Sequence, residues 1–232
     1  MKTTLIILTV TAFAGAVASA AEISGKVKLS GTPPPPKPIT VDPACAKEKP
    51  GGLQTRFYVV GADNGLGDVF VYVKEGAKPT PAAGSGPTLD QVGCEYSPYV
   101  IGAQTGQTIT AKNSDPFMHN VHAIPKVAGN KEKNTAQPVK GMTTPFTFDK
   151  PEVFVQFKCE VHPWMFAYAG VCDHPYFAVT DKDGNYKISG LPAGEYTVEA
   201  VHRKAGSTTE KIKVGADDKK TQDFTLKVPP AQ

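Results

Sequence analysis

Cys159, His162 and Met165 stand at intervals of three in "FKCEVHPWM", residues 157 to 165. Each side chain carries a donor atom that suits a soft metal. A thiolate and two imidazoles in a trigonal plane, with a long thioether contact, hold copper in the form that passes single electrons. Thiolate and thioether favour Cu(I), whereas imidazole suits both oxidation states. A rigid site that fits both states equally needs little rearrangement when an electron moves. The loop supplies three of these ligands. The other imidazole must come from a neighbouring strand, because one short loop cannot surround an ion alone.

The chain has five histidines: His119, His122, His162, His174 and His202. Two of them lie in "MHNVH", which follows a strand by a short turn. Residues three apart in a strand point to opposite faces, so only one of His119 and His122 can face the site. Structural zinc takes four Cys or His ligands and does not use Met. A binuclear copper centre needs two cysteines in the ligand loop, and Glu160-Val161 supplies none. A lone Cys in a β-protein is usually a small core residue, and a lone His is usually hydrogen-bonded structure. Four ligating types in this order favour copper over that bland reading.

These side chains need strands to hold them. Hydrophobic residues make up 40% of the chain and charged ones 20%, with 21 Pro and 22 Gly. That texture fits many short strands joined by turns. No long segment shows the apolar spacing of an amphipathic helix. "EISGKVKLSG", "RFYVVG", "DVFVYVKEG" and "MHNVHAIP" read as strands, and "VIGAQTGQTITAKNSD" as a turn at Gly106 before a strand over 107–112. "PFTFDKPEVFVQFKC" gives two strands joined by a Lys-Pro turn, and "FAYAGVC" another. "TPPPPKPITVDPAC" is too rich in Pro for a central strand and reads as polyproline-type. "AKPTPAAGSGPT" reads as a loop and residues 125–143 as a long surface excursion. From about residue 176 short strands follow one another, with turns at Asp183-Gly184, Pro192-Ala193-Gly194 and Ala205-Gly206. "DKDGN" is not a calcium loop of the EF-hand type, since Gly and Glu are not at its sixth and twelfth positions.

The first twenty residues, "MKTTLIILTVTAFAGAVASA", combine a lysine, an apolar run and a terminal Ala-Ser-Ala. They read as a secretory leader, too short in its apolar part for a membrane anchor. Formal net charge is +3, with the basic residues scattered, so no nucleic-acid footprint is present. Export places the cysteines in an oxidising compartment, where disulfides persist. Four cysteines allow three pairings when all are bonded. Cys159 must stay reduced to bind metal, which leaves one other cysteine over. Cys45–Cys94 is the expected disulfide, tying the Pro-rich segment to the loop before the central strands, although spacing alone does not fix connectivity. Cys172, in an apolar strand, is expected as a buried thiol.

The pattern "GQTITAKNSDPFMHNVHA" followed by "FTFDKPEVFVQFKCEVHPWM" resembles the cupredoxins, and the ligand loop resembles that of amicyanin. The resemblance covers about residues 66–173 and is strongest around the ligands. Residue by residue it implies His119 as the first imidazole, Cys159 as the thiolate, His162 as the second imidazole and Met165 as the axial thioether. It implies that the Asn120 backbone N–H donates to the cysteine sulfur, a bond that tunes potential. It also implies that Pro163, Trp164 and Phe166 form an apolar rim around an exposed edge of His162, the expected electron exit. Residues 176–228 resemble the carboxypeptidase regulatory-like, or transthyretin-like, β-sandwich. The matching residues are Asp181, Gly184 and Tyr186, then Leu191, Pro192, Gly194 and Tyr196. "ISGKVKLSG" resembles that family's first strand, which would make the cupredoxin an insertion in the sandwich.

The expected fold is all-β: a cupredoxin Greek-key β-sandwich plus a second small β-sandwich. The expected divisions are a signal peptide at 1–20, an N-terminal strand and Pro-rich segment at 21–65, a cupredoxin domain at 66–173 and the second sandwich at 174–232. The expected function is that of an exported, periplasmic type 1 copper protein, a monomeric one-electron carrier rather than an enzyme. Its partner would be a cytochrome, dehydrogenase or oxidase that docks transiently. Enzymes with further copper centres need more histidines, and the three left over form no His-x-His pair. Two alternatives stay open: a copper chaperone or store, and a carbohydrate- or protein-binding module with a structural metal site.

Overall fold

The computed structural model describes residues 20–230, so the expected leader lies outside the described residues apart from Ala20. Alternation of buried and exposed side chains governs most of the strands, as a pleated backbone with one wet face requires. Nineteen strands and a single six-residue α-helix are present among the described residues. No helix among them is long and apolar enough to cross a membrane.

Two sheets enclose the core that carries the ligands. One has the order Lys133–Gln137, His119–Ile124, Glu152–Lys158, Phe166–Cys172 and Val100–Gln104. The other has the order Thr143–Phe146, Ile109–Asn113, Thr88–Gln91 and Tyr96–Ser97. Between them Val121, Val155, Phe157 and Ala169 of the first sheet meet Leu89, Ile109 and Phe146 of the second, all buried. Pro145, which cannot donate to a ladder, lies on an edge strand as expected.

A second pair of sheets is built from both ends of the chain. Ala21–Ser30 pairs antiparallel with Asn185–Leu191 and parallel with Lys219–Thr221 and Phe224–Lys227. The facing sheet runs Phe177–Val179, Phe70–Glu75, Gly194–His202 and Gly206–Val214. Ile23, Val27, Leu29 and Ile188 pack there against Val71, Val73, Val198 and Ile212. Phe70–Glu75 therefore belongs with the second core, not with the segment 66–173 in which the sequence reading places it. Its apolar run gives no sign of which sheet receives it, since a strand buried on both faces suits either.

The two cores meet at Phe70. Its ring is fully buried and lies over Gly102 and Gly170, which face each other in paired strands. A Cβ at Gly170 would come within 2.4 Å of the Phe70 ring, and one at Gly102 within 2.5 Å of Phe177. Two glycines thus open a trough that admits the aromatic contact. Tyr99, Val100, Tyr168 and Cys172 complete this junction.

Three local expectations change. "RFYVVG" forms no ladder, and its single bridge is Val60–Leu66. The excursion 125–143 contains the strand Lys133–Gln137, an edge strand with little apolar pattern because it buries one residue, Gln137. Pro43–Glu48 is a helix, too short for any periodicity. Its signal is Asp42-Pro43, an N-cap acceptor followed by proline in the first turn.

Gly170→Ala should destabilise the chain by about 1–3 kcal/mol, the usual cost of overpacking a filled core. Denaturant unfolding checks this. An unchanged midpoint would show that Phe70 swings aside freely and that the trough does not hold the cores together.

Candidate metal centre

Inward alternation carries two of the donors to one end of the first sandwich. His119, Val121 and Ala123 point into the core along one strand, and Val155, Phe157 and Cys159 do so along its neighbour. A bulge at Phe154, with φ of 65°, sets the second register. Tyr96, fully buried, points its hydroxyl at the carbonyls of Asn120 and Lys158, 3.2 Å from each, and so ties the two strands where the donors emerge. The ligand loop closes on itself: Cys159 N–H donates to the Met165 carbonyl and Met165 N–H to the His162 carbonyl.

The donors converge. His119 Nδ1 lies 2.9 Å from His162 Nδ1, and Cys159 Sγ lies 4.0 and 3.7 Å from them. An ion bound at about 2.0–2.3 Å to each of three planar donors would set them about 3.6 Å apart; the two sulfur–nitrogen distances lie close to this, and the Nδ1–Nδ1 distance is shorter and would have to open by about 0.6 Å. His119, Cys159, His162 and Met165 are all buried. His122, as the strand alternation requires, faces the other way and pairs with Glu132 and Glu160. Cys45 and Cys94 also lie close to His162, but they form the expected disulfide and are unavailable as ligands. Cys172 is a free, buried thiol, and His174 is engaged with the Val73 carbonyl and Tyr176 N–H.

Groups around the donors set their charge. Burial works against a Cys159 thiolate, but hydrogen bonds from His119, His162 and the backbone N–H groups of Asn120 and His162 outweigh it and bring the thiol down to about 6. The Asn120 backbone N–H is one of these contributors. Its side chain adds a bond not foreseen, the Oδ1 accepting from Glu160 N–H and stiffening the start of the loop. By contrast, burial beside Asp173 pushes Cys172 up to about 12.

Two carboxylates escaped the sequence reading. Asp115 Oδ2 lies 2.9 Å from His119 Nε2, and the carboxylate also accepts from the backbone N–H groups of Gly93 and Cys94. Its position four residues before His119 in a turn was the only local signal. Asp42 Oδ2 lies 3.2 Å from His162 Nε2 and arrives from a segment 120 residues away, with no local signal at all.

Asp42 also overturns one expectation. The edge of His162 is not open: the residue is 5% exposed, covered by the helix that begins at Pro43. Pro163 is exposed, but Trp164 is half-buried and donates its indole N–H to the Cys94 carbonyl. Phe166 turns away into the cluster of Phe57, Tyr99 and Tyr168. The three do not form a rim around an open imidazole, because the Pro-rich segment fills that space.

The family profile of the carboxypeptidase regulatory-like domain matches residues 172–227. No curated protein matches the chain. A copper-containing nitrite reductase from Thermus scotoductus SA-01 is 26% identical over 43% of this chain, with a TM-score of 0.34. The matched region spans 25% of that reductase. An oxidised amicyanin variant and a reduced one are each 21% identical over 44% of this chain and 97% of their own, also with TM-scores of 0.34.

The metal-free chain should show ultraviolet thiolate absorbance from Cys159 with a midpoint near pH 6. Because the folded value lies below that of a free thiol, about 8.5, this group stabilises the fold above that pH and loses its contribution as pH falls through 6. A midpoint at or above 8.5 would mean that the imidazoles and amides do not hold the thiolate.

Proposed function

We propose that this protein is an exported type 1 copper protein that carries one electron at a time between redox partners. The observation that carries the reading is the convergence of Cys159 Sγ with the Nδ1 atoms of His119 and His162 in one buried site. Copper held by these three together with the Met165 thioether would supply a one-electron couple. The chain's own part is to keep water out, hold the thiolate and fix both rings. Strand ends, the Tyr96 tie and the closed ligand loop do this without a mobile element. The three other histidines are engaged elsewhere, which supports a single-centre carrier over an enzyme with further copper ions. His122 pairs with two glutamates and His174 with backbone groups. His202 accepts from two backbone N–H groups, and burial pushes it down to about 4. Among the described residues the second sandwich has no ligand set of this kind, and its family match favours a scaffold or docking role.

One observation favours the alternative of a copper store or chaperone: the covered edge of His162. A closed imidazole slows exchange with a partner and suits retention.

Adding Cu(II) to the purified protein should give intense visible absorption from thiolate-to-copper charge transfer. Cys159→Ser should abolish it. Ascorbate should bleach the band and an oxidant restore it over repeated cycles. A colourless complex would overturn the carrier reading, and a coloured site that does not cycle would favour storage.

A further inference from the structure

The two histidines of the site are held in matching ways. Each points Nδ1 at the donor cluster and Nε2 at an aspartate: His119 at Asp115 and His162 at Asp42. Each aspartate in turn accepts a backbone N–H from one half of the same disulfide. Cys45 N–H donates to Asp42 and Cys94 N–H to Asp115. The Cys94 carbonyl also receives the Trp164 indole, whose ring lies against His162. One covalent link therefore joins the mounts of both imidazoles.

The Asp42 arm is the informative half. Asp115 lies inside the sandwich, close in sequence to the ring it holds. Asp42 belongs to the Pro-rich segment outside both sandwiches, and nothing in the strand ladders requires it there. Its Oδ1 caps the helix Pro43–Glu48 by accepting from Ala44 and Cys45 N–H, which leaves Oδ2 for His162. The helix is anchored again by Lys49, which pairs with Glu95 beside Cys94. An imidazole ligated through Nδ1 keeps its proton on Nε2, and a carboxylate at that nitrogen orients the ring and raises its basicity as a ligand.

We propose that Asp42 is a positioning residue for the copper site, holding His162 through Nε2 and closing its solvent edge by way of the disulfide-anchored segment. This deepens the copper reading and rests on it. Electron exchange then has to use another face of the site. The exposed apolar residues nearest the donors in sequence are Met118, beside His119, and Val161 and Pro163, on either side of His162.

Asp42→Asn keeps an oxygen to cap the helix but presents no anion to His162. Asp42→Ser keeps a capping hydroxyl and empties the space. Both variants should stay folded with the disulfide intact, as unfolding midpoints and thiol counts will show. In the metal-free chain, diethyl pyrocarbonate should modify His162 slowly in the wild type and readily in Asp42→Ser. In the Cu(I) form, the slowly exchanging Nε2 proton of His162 should vanish in Asp42→Ser, while that of His119 persists. Copper affinity should fall about 10- to 100-fold in either variant, with the visible band regained at saturation. Unchanged affinity and an unchanged His162 reactivity would overturn the proposal. A wild type without the band would sink the copper reading instead, so the two failures are distinguishable.

Discussion

A thiolate held in a dry pocket is the constraint on which the rest of this structure depends. Burial alone pushes a thiol towards its neutral form, as it does at Cys172. At Cys159 the opposite holds, because two imidazoles and two backbone N–H groups face the sulfur. Those donors must be close, oriented and protected from water together. None lies on an element that can move alone. His119 and Cys159 end paired strands, the ligand loop closes between Cys159 and Met165, and Tyr96 clasps the two strands from beneath. The site is rigid because its supports are the sheet itself.

The supports carry charge as well as shape. Asp115 is buried and would be costly unpaired, yet it accepts from His119 and from two backbone N–H groups. Those bonds hold it in its charged form against the burial that opposes it. The polar core nearby follows the same rule. Gln137 is fully buried: its amide oxygen accepts from the Gln91 side-chain amide, and its amide N–H groups donate to the Ala111 carbonyl and Thr144 Oγ1. A strand with almost no apolar pattern is thereby fixed at the sheet edge.

The disulfide links this site to the start of the chain. It closes a loop of 49 residues in sequence and pins a short helix that could not persist alone. That helix covers His162. The second sandwich, built from both termini, grips the first through Phe70 and the paired glycines Gly102 and Gly170. Segments that flank the donor-bearing unit in sequence are thus joined in one sheet, with Ala21–Ser30 between Asn185–Leu191 and the last strands.

Much of this was legible in the residues. Cys159 and His162 three apart, with a histidine in an upstream strand, picked out the three donors that converge, because ligand chemistry depends on residue type and short spacing. Alternation allowed only one of His119 and His122 to face the site, for a pleat has a period of two, and the resemblance to the cupredoxins selected His119. The all-β class followed from turns and short apolar runs. Tertiary structure alone decided the rest. Phe70–Glu75 could have joined either sheet, since its pattern is apolar on both faces. Lys133–Gln137 was hidden because an edge strand needs a ladder partner more than a buried face. Asp42 was invisible because its meeting with His162 depends on a helix cap and a disulfide formed with a residue 49 positions from its own anchor. Local sequence sets which atoms can bind; only the folded chain sets which edges remain open to water.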